Sequence, residues 1–280
     1  MQKEGEYVRP PSVAGLFYPS RKDELERSVG ELLSEARKNI TGEIPAKISV
    51  VLSPHAGYQY SGYTAAHGYS LLRKNQFKTV IVVSPSHREY FDGVSVFSGK
   101  AYSTPLGEIK IDCDMRERFL NCAGKIAVES QLGHRAEHAV EVQMPFLQMR
   151  LGSFELVPIV MGDQKAEYCW ALGKALSDAV KDRAVLMVAS SDLSHYYDYD
   201  TANEIDEVFL DDLMKFDPEK MMNDLENRRC EACGGGPVVS CLYAARQLGL
   251  NRVSILHHCN SGDTSGDKSA VVGYLSAIVS

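Results

Sequence analysis

Three histidines occupy equivalent positions along the chain, each a few residues after a short apolar run typical of a buried strand. They are His55, His87 and His195. In an open α/β sheet, ligands bind at the edge where the carboxyl ends of the parallel strands meet. We therefore expect the three imidazoles to converge in one pocket. The apolar runs that precede them are 48–52, 79–83 and 185–189.

Cys233 is a fourth residue with reactive chemistry. It begins a Cys-Gly-Gly-Gly-Pro sequence that ends at Pro237. The glycines free the backbone, and proline fits the first turn of a helix. A thiol beside a helix N-terminus is biased toward the thiolate form. The pattern therefore indicates either a soft metal ligand or a nucleophile.

Imidazole nitrogen and thiolate sulfur together favour a particular group of metal ions. Imidazole binds iron, copper and zinc well, and a thiolate moves the preference away from calcium and magnesium. Two histidines and one cysteine would occupy one face of such an ion. The remaining positions would stay open to water, dioxygen or substrate, as in catalytic rather than structural sites.

Further polar residues could orient these ligands or move protons. Asp192 and His195 are three residues apart, and Asp192 is suited to orienting an imidazole or to acting with His195 as an acid/base pair. Glu137, His138 and Glu141 form a second group, whose spacing puts the two glutamates on one face of a helix. We expect His138 to border the pocket, whereas a solvated helix start explains Glu137 as well as a functional role does.

The order of elements predicts an α/β fold in one domain over 1–280, with a largely parallel central sheet flanked by helices. The segment 93–112 alternates and turns at its Pro-Leu-Gly, so it is predicted to form a β-hairpin. Helices are predicted over 20–39, 64–72, 138–150, 165–180, 203–215, 218–226 and 237–248. Strands are predicted over 48–52, 79–83, 155–160, 185–189, 253–258 and 270–278.

Composition excludes several classes of partner. There are 30 basic and 37 acidic residues, a formal net charge of −7, and the basic residues are scattered, so nucleic acid is not expected as a partner. Apolar runs are too short to span a bilayer and the first residues are charged, which predicts a cytoplasmic protein without a membrane partner. The 7 cysteines lack the pairing of a disulfide scaffold, so we expect reduced thiols.

These residues lie in motifs through which the chain closely resembles the Memo family, whose archaeal and bacterial members are also called AmmeMemoRadiSam system protein B. The resemblance spans nearly the whole length. We expect Tyr58, which lies in one of the motifs, to contribute with His138 and Glu141 to the pocket or to its second layer. The motifs are RPP at 9–11, AGLFYP at 14–19, PHAGY at 54–58, SPSH at 84–87, TPLG at 104–107, EH at 137–138, SSDLSH at 190–195 and CG at 233–234.

The family is similar in fold to class III extradiol ring-cleaving dioxygenases, which hold non-haem iron with two histidines and a glutamate. By that likeness His55 and His87 match the histidine ligands, and His195 falls where the dioxygenases keep an acid/base histidine. The third ligand differs, because Cys233 stands at the position of the glutamate. The resemblance implies iron(II) or copper rather than zinc, and it implies an AMMECR-type protein and a radical-SAM enzyme as partners.

Three functions are compatible with these residues. The first is a metal-dependent redox protein, a class that includes dioxygenase-like enzymes, in which His55, His87 and Cys233 bind the ion while His195 and Asp192 accept and donate protons. The second is a binding module that captures a peptide or anionic ligand in the same pocket without turnover. The third is metal-free thiol catalysis, in which Cys233 attacks a carbonyl and His195 or His87 acts as the base.

Overall fold

A nine-stranded sheet forms the centre of the computed structural model, which describes residues 6–41 and 44–280. None of the helices in these ranges combines the length and apolar character that a crossing of the bilayer requires. The helices are α1 (Lys22–Asn39), α2 (Tyr63–Ser70), α3 (Cys113–Ala123), α4 (Met144–Leu151), α5 (Ala166–Val180), α6 (Tyr199–Lys215), α7 (Pro218–Glu226), α8 (Gly235–Gln247) and α9 (Ser261–Ser265). The strands are β1 (Val8–Arg9), β2 (Val50–Ser53), β3 (Thr79–Pro85), β4 (Val94–Phe97), β5 (Ala101–Thr104), β6 (Gly107–Lys110), β7 (Ala127–Ser130), β8 (Glu155–Met161), β9 (Val185–Ser190), β10 (His195–Tyr197), β11 (Val253–Asn260) and β12 (Val271–Val279).

Four neighbouring strands run parallel at the middle of this sheet, in the order β2, β9, β3 and β8. Every residue of β2, β3 and β9 is buried, as expected for parallel strands whose two faces are both covered. On one side β12 pairs antiparallel with β2, β10 and β11, and on the other β4 pairs antiparallel with β8 and parallel with β7. The predicted α/β fold class is confirmed, with the parallel pairing concentrated at the centre of the sheet.

Helices cover both faces of the sheet and create two apolar layers. Helices α3, α5, α6, α7 and α8 contribute to the layer on one face, and α1, α2 and α4 contribute to the layer on the other. Gly173 lets α5 approach α8 closely, since a Cβ atom at this position would lie 2.7 Å from the carbonyl oxygen of Ser240. The parallel strands are thereby held rigidly between two packed layers, which fixes where their carboxyl ends point.

The predicted hairpin near 93–112 is shorter than expected. The hairpin consists of β5 and β6, which pair from Ala101 with Lys110 to Thr104 with Gly107, and it joins β1 in a separate three-stranded sheet. The residues of β4 belong instead to the large sheet, where all four are buried. The chain passes from the large sheet to the small one at Gly99. A Cβ atom at this position would lie 2.4 Å from the ring of Phe97.

The helix predicted over 138–150 begins later than the pattern indicated. A 3-10 turn occupies Glu141–Gln143, and α4 starts at Met144 with a proline in its first turn. Glu137 lies before both elements, so it does not share a helical face with Glu141, and that prediction was wrong. The two carboxylates point to different partners, one to a histidine at the sheet edge and the other to Arg9.

The buried Glu141 carboxylate anchors the segment that connects β1 with α1. It forms an ion pair with Arg9, and both side chains are almost completely buried. It also accepts hydrogen bonds from the backbone N–H of Ser12 at 2.8 Å, from that of Val13 at 3.0 Å and from the Tyr18 hydroxyl at 2.6 Å. Burial acts to raise the pKa of Glu141, but the Arg9 charge and these donors hold it below its ordinary value.

We predict that Arg9→Met destabilises the protein by about 3–5 kcal/mol, because it leaves the Glu141 carboxylate buried without its counter-charge. Urea unfolding at pH 7 measures this loss. The control is Arg21→Met, which removes an arginine from an exposed ion pair with Asp23 and should change stability by less than about 1 kcal/mol. Equal effects of the two substitutions would contradict the anchoring role of the Arg9–Glu141 pair.

Candidate metal centre

The carboxyl ends of three adjacent parallel strands deliver the predicted histidines to one place. His55 lies two residues beyond β2, His87 lies two residues beyond β3, and His195 follows β9 after a short loop. Because β9 lies between β2 and β3, the three loops emerge side by side. The ring centroids of His55 and His87 are 5.1 Å apart.

Cys233 completes a compact group of potential metal ligands with His55 and His87. One nitrogen of each histidine and the Cys233 Sγ all lie within 4.8 Å of one another. The Sγ atom is 3.1 Å from His55 Nε2. Three residues, the last of them 178 positions after the first, therefore bring two nitrogen donors and one sulfur donor close together.

Gly234 allows Cys233 to reach this point. The residue lies so close to the end of β9 that a Cβ atom would be 2.2 Å from the carbonyl oxygen of Ser190. Its backbone N–H donates to Ser191 Oγ at 2.9 Å, and the Cys233 N–H donates to the carbonyl of Asp192 at 3.2 Å. A glycine is thus required here for the loop before α8 to pack against the loop after β9.

A chain of hydrogen bonds fixes the tautomer of His55. Gln143 Nε2 donates to the Pro54 carbonyl and to Ser190 Oγ, and the Ser190 hydroxyl donates its one hydrogen to the Ala139 carbonyl. Ser190 Oγ can therefore only accept from His55 Nδ1, which lies 2.9 Å away. The hydrogen of the neutral imidazole is on Nδ1, and the lone pair of Nε2 faces Cys233.

Glu137 fixes His87 in the same way. Its Oε1 lies 2.9 Å from His87 Nδ1, and its Oε2 accepts the His87 backbone N–H at 2.6 Å. Burial acts to raise the pKa of Glu137, but the bonds from His87 and from the backbone N–H of Ala139 lower it to about 2. The ionised carboxylate holds the hydrogen of His87 on Nδ1, so that Nε2 is the free donor, as in carboxylate–histidine–metal arrangements.

Burial keeps Cys233 and His55 uncharged in the absence of a cation. Desolvation, together with the nearby Asp192, raises the pKa of the Cys233 thiol far above its ordinary value. Desolvation also lowers the pKa of His55 to about 3. Desolvation therefore opposes the predicted bias of Cys233 toward thiolate, and it equally opposes a proton on His55. A metal ion at this position would favour the deprotonated thiol, because the thiolate is the form that binds metals.

His195 and Asp192 lie at the border of the same site. His195 Nδ1 donates to the Leu193 carbonyl at 2.7 Å, which leaves Nε2 with the lone pair. Asp192 Oδ1 accepts the backbone N–H of His55 at 2.7 Å, and the Asp192 N–H donates to Cys233 Sγ at 3.3 Å. Burial raises the pKa of Asp192. Asp192 thus links the loops that carry two of the donors.

The three residues expected around the pocket have different environments. His138 lines the cavity and stacks on His87 with ring centroids 4.8 Å apart, and burial lowers its pKa to about 4. Tyr58 is buried and does not line the cavity, and its hydroxyl donates to the Val142 carbonyl at 2.6 Å. Glu141 contacts the N-terminal segment described above. The structure brings His138 to the pocket, but not the side chains of Tyr58 and Glu141.

The donors open into a cavity of about 820 Å³. Its floor contains His55, His87, His195 and Cys233, and its walls include apolar and aromatic side chains. Two of these are largely exposed at the mouth, Leu16 at 78% and Tyr196 at 77%. Among the described residues, no lysine or arginine lines this cavity. The wall residues Leu16, Phe17, Tyr60, Tyr196, Val272 and Tyr274 suit an apolar ligand body.

The sequence patterns did not identify all the residues that orient the potential metal ligands. Glu137 is 1% exposed and both of its oxygens bond to His87, so the solvated helix start, one of the two interpretations left open for this residue, is wrong. Ser190 and Gln143 were not singled out, although both determine the His55 tautomer. Ser190 lies in the SSDLSH motif, which offered a signal, whereas Gln143 stands in an apolar helix start that gave none.

The chain is similar to known proteins over nearly its whole length. The sequence model of the family described as "Memo-like protein" matches residues 9–278. A MEMO1 family protein of Methanosarcina mazei is 39% identical over 278 residues, covering 97% of this chain and 99% of that protein. A MEMO1 family protein of Thermotoga neapolitana is 37% identical over 286 residues, covering 98% and 100%.

A solved structure is similar at the level of the fold alone. It is an uncharacterized protein of Escherichia coli K12, with a TM-score of 0.56 and 14% identity, and the alignment covers 83% of this chain and 100% of that one. The fold and the site define a single-domain α/β protein in which two histidines and one cysteine cluster at the edge of the central sheet. The chain belongs to the Memo-like family.

We predict that Cys233 reacts slowly with iodoacetamide in metal-free protein at pH 7.5, because the thiolate is the nucleophile and burial keeps this group protonated. Peptide mass spectrometry should find Cys113 and Cys122, which are exposed, modified at least about tenfold faster. Preferential modification of Cys233 would contradict this charge state and would favour the thiol-catalysis hypothesis.

Proposed function

We propose that this protein is a metal-dependent redox protein in which His55, His87 and Cys233 hold one iron(II) or copper ion. The observation that carries the proposal is the convergence of three ligand atoms, which all lie within 4.8 Å of one another. Each histidine keeps its hydrogen on the far nitrogen through Ser190 or Glu137. Such second-layer bonds are typical of metal-ligating histidines.

The donor set fits an ion of this kind. Neutral imidazoles and a sulfur suit iron, copper or zinc, whereas magnesium and calcium prefer oxygen ligands. The three donors come from the floor of the cavity, so the opposite side of the ion would face the 820 Å³ space. An open position of this kind distinguishes catalytic metal sites from closed structural ones.

A bound ion would supply Lewis-acid or electron-transfer chemistry next to the cavity. The chain itself would hold and move protons there. His195 carries a free Nε2, because its Nδ1–H is bound to the Leu193 carbonyl, so it can accept a proton from a ligand in the cavity. Asp192 fixes the His55 backbone and donates its own N–H to the sulfur, which stabilises negative charge on that atom.

Enzymatic turnover and simple capture of a ligand use the same cavity and differ in measurable ways. A redox enzyme of the dioxygenase-like kind consumes dioxygen in the presence of metal and substrate. A binding module consumes none, and its ligand binding survives removal of the metal. The AMMECR-type and radical-SAM partners implied by the family resemblance stay part of the proposal, to be tested by co-purification.

The metal site is tested by elemental analysis of protein purified anaerobically without a metal-binding tag. We expect about one iron or copper per chain, and loss of most of it in His55→Ala and in Cys233→Ala, because each removes a ligand. Matched controls are His67→Ala and Cys241→Ala, which remove a buried histidine and a buried cysteine outside the site.

Retention of metal in the two ligand variants would contradict the assignment. Absence of metal in the wild type, with none taken up from iron(II) or copper salts, would eliminate the metalloprotein proposal and favour the binding module.

We predict that Glu137→Gln weakens metal affinity by about 10- to 100-fold while the protein stays folded, because the carboxylate orients His87 and raises its basicity. Competition against a chelator measures the affinity. The control is Glu129→Gln, which removes a carboxylate that is 41% exposed and pairs with Arg116 at 3.1 Å. An unchanged affinity in Glu137→Gln would contradict the role given to the Glu137–His87 bond.

A further inference from the structure

Asp206 is a completely buried carboxylate on α6 that the metal site does not use directly. Its Oδ1 accepts the backbone N–H of Ser194 at 3.0 Å, and its Oδ2 lies 3.2 Å from His258 Nε2. A buried carboxylate is stable only when its oxygens are paired. One of these partners is Ser194, the residue immediately before His195.

The backbone before His195 is held from the other side by β12. The N–H of Leu193 donates to the Gly273 carbonyl at 2.8 Å, and the N–H of Gly273 donates to the Ser194 carbonyl at 2.9 Å. Asp206 holds the remaining backbone donor of Ser194. The Leu193 carbonyl accepts from His195 Nδ1. The backbone groups next to it, the N–H of Leu193 and the N–H and carbonyl of Ser194, all form hydrogen bonds of their own.

Gly273 makes this arrangement possible. A Cβ atom at position 273 would lie 1.9 Å from Asp206 Oδ2, closer than any two such atoms approach. The glycine leaves room for the carboxylate to lie against β12 and to reach both Ser194 and His258. The β-bulge between His195 and Tyr197, and the left-handed φ of 65° at Tyr196, then determine the direction in which His195 leaves the strand.

We infer that Asp206, supported by His258 and accommodated by Gly273, is the positioning residue that fixes the direction and tautomer of His195. The inference rests on the proposed function only in assigning His195 a proton-transfer role. Asp206 does not contact the His195 ring; it acts through the Ser194 amide and the Leu193 carbonyl. Loss of the carboxylate would free the Ser194 amide, and the Leu193 carbonyl would no longer select the Nδ1–H form.

The test is nuclear magnetic resonance of metal-free protein labelled with 15N in its histidine rings, with the His195 signals assigned by their loss in His195→Gln. The two tautomers give distinct pairs of ring-nitrogen shifts. The wild type should show the Nδ1–H form of His195. In Asp206→Leu, which fills the space but cannot accept the Ser194 N–H, both tautomers should become comparably populated.

Two further variants separate positioning from general destabilisation. Asp206→Asn keeps an oxygen acceptor for Ser194, so it should restore the Nδ1–H form. Asp212→Leu removes an equally buried carboxylate of the same helix, one that pairs with Lys220, and should leave the His195 signals unchanged. If Asp206→Leu does not fold, Gly273→Ala takes its place, because the added methyl group displaces the carboxylate.

An unchanged His195 spectrum in the folded Asp206→Leu or Gly273→Ala variant would overturn the inference. The same would hold if Asp212→Leu altered the spectrum as strongly as the Asp206 variant does. The measurement needs neither metal nor substrate. A failure of the proposed metal site would therefore appear in the metal content of the wild type and would leave this result standing.

Discussion

The orientation of two imidazole rings is the constraint on which the site depends. Ser190 and Glu137 accept hydrogen bonds from Nδ1 of His55 and His87, which leaves the Nε2 lone pair of both rings free and places that of His55 next to Cys233 Sγ. If either ring carried its hydrogen on the other nitrogen, an N–H group would point at the sulfur and the set of donors would be broken. The packed parallel strands are the scaffold that keeps these bonds in register.

Buried carboxylates connect the loops of the site. Glu137 holds the His87 loop, Glu141 holds the segment between β1 and α1, and Asp206 holds the loop before His195. Each has lost its hydration, and each regains favourable interactions from backbone N–H groups or from a basic side chain. Charge buried in this manner costs stability when one partner is missing, so these carboxylates couple the geometry of the site to the stability of the fold.

Sequence patterns predicted those parts of the fold and site that depend on local periodicity. The apolar runs located the strands before His55, His87 and His195, and the edge rule of parallel sheets brought these residues together. The patterns missed α3, where only Met115 and Phe119 are buried, and β10, which has three residues. Both are too short or too polar to produce a clear signal.

Predictions that depend on distant partners were less successful, for a physical reason. The pairing of Glu141 with Arg9 joins residues 132 positions apart, and no local pattern contains it. The charge state expected for Cys233 considered the helix N-terminus alone, whereas desolvation in the folded protein is the larger effect. Burial and tautomer arise only once the chain has folded, so they could not be predicted from spacing.

X-ray absorption spectroscopy at the metal edge of the loaded protein tests the central claim most directly, because it identifies the atoms bound to the ion. We predict one sulfur and two imidazole nitrogens bound to the ion, with the sulfur contribution lost in Cys233→Ser. A shell of oxygen and nitrogen atoms without sulfur in the wild type would contradict it, since Cys233 would then not be a ligand.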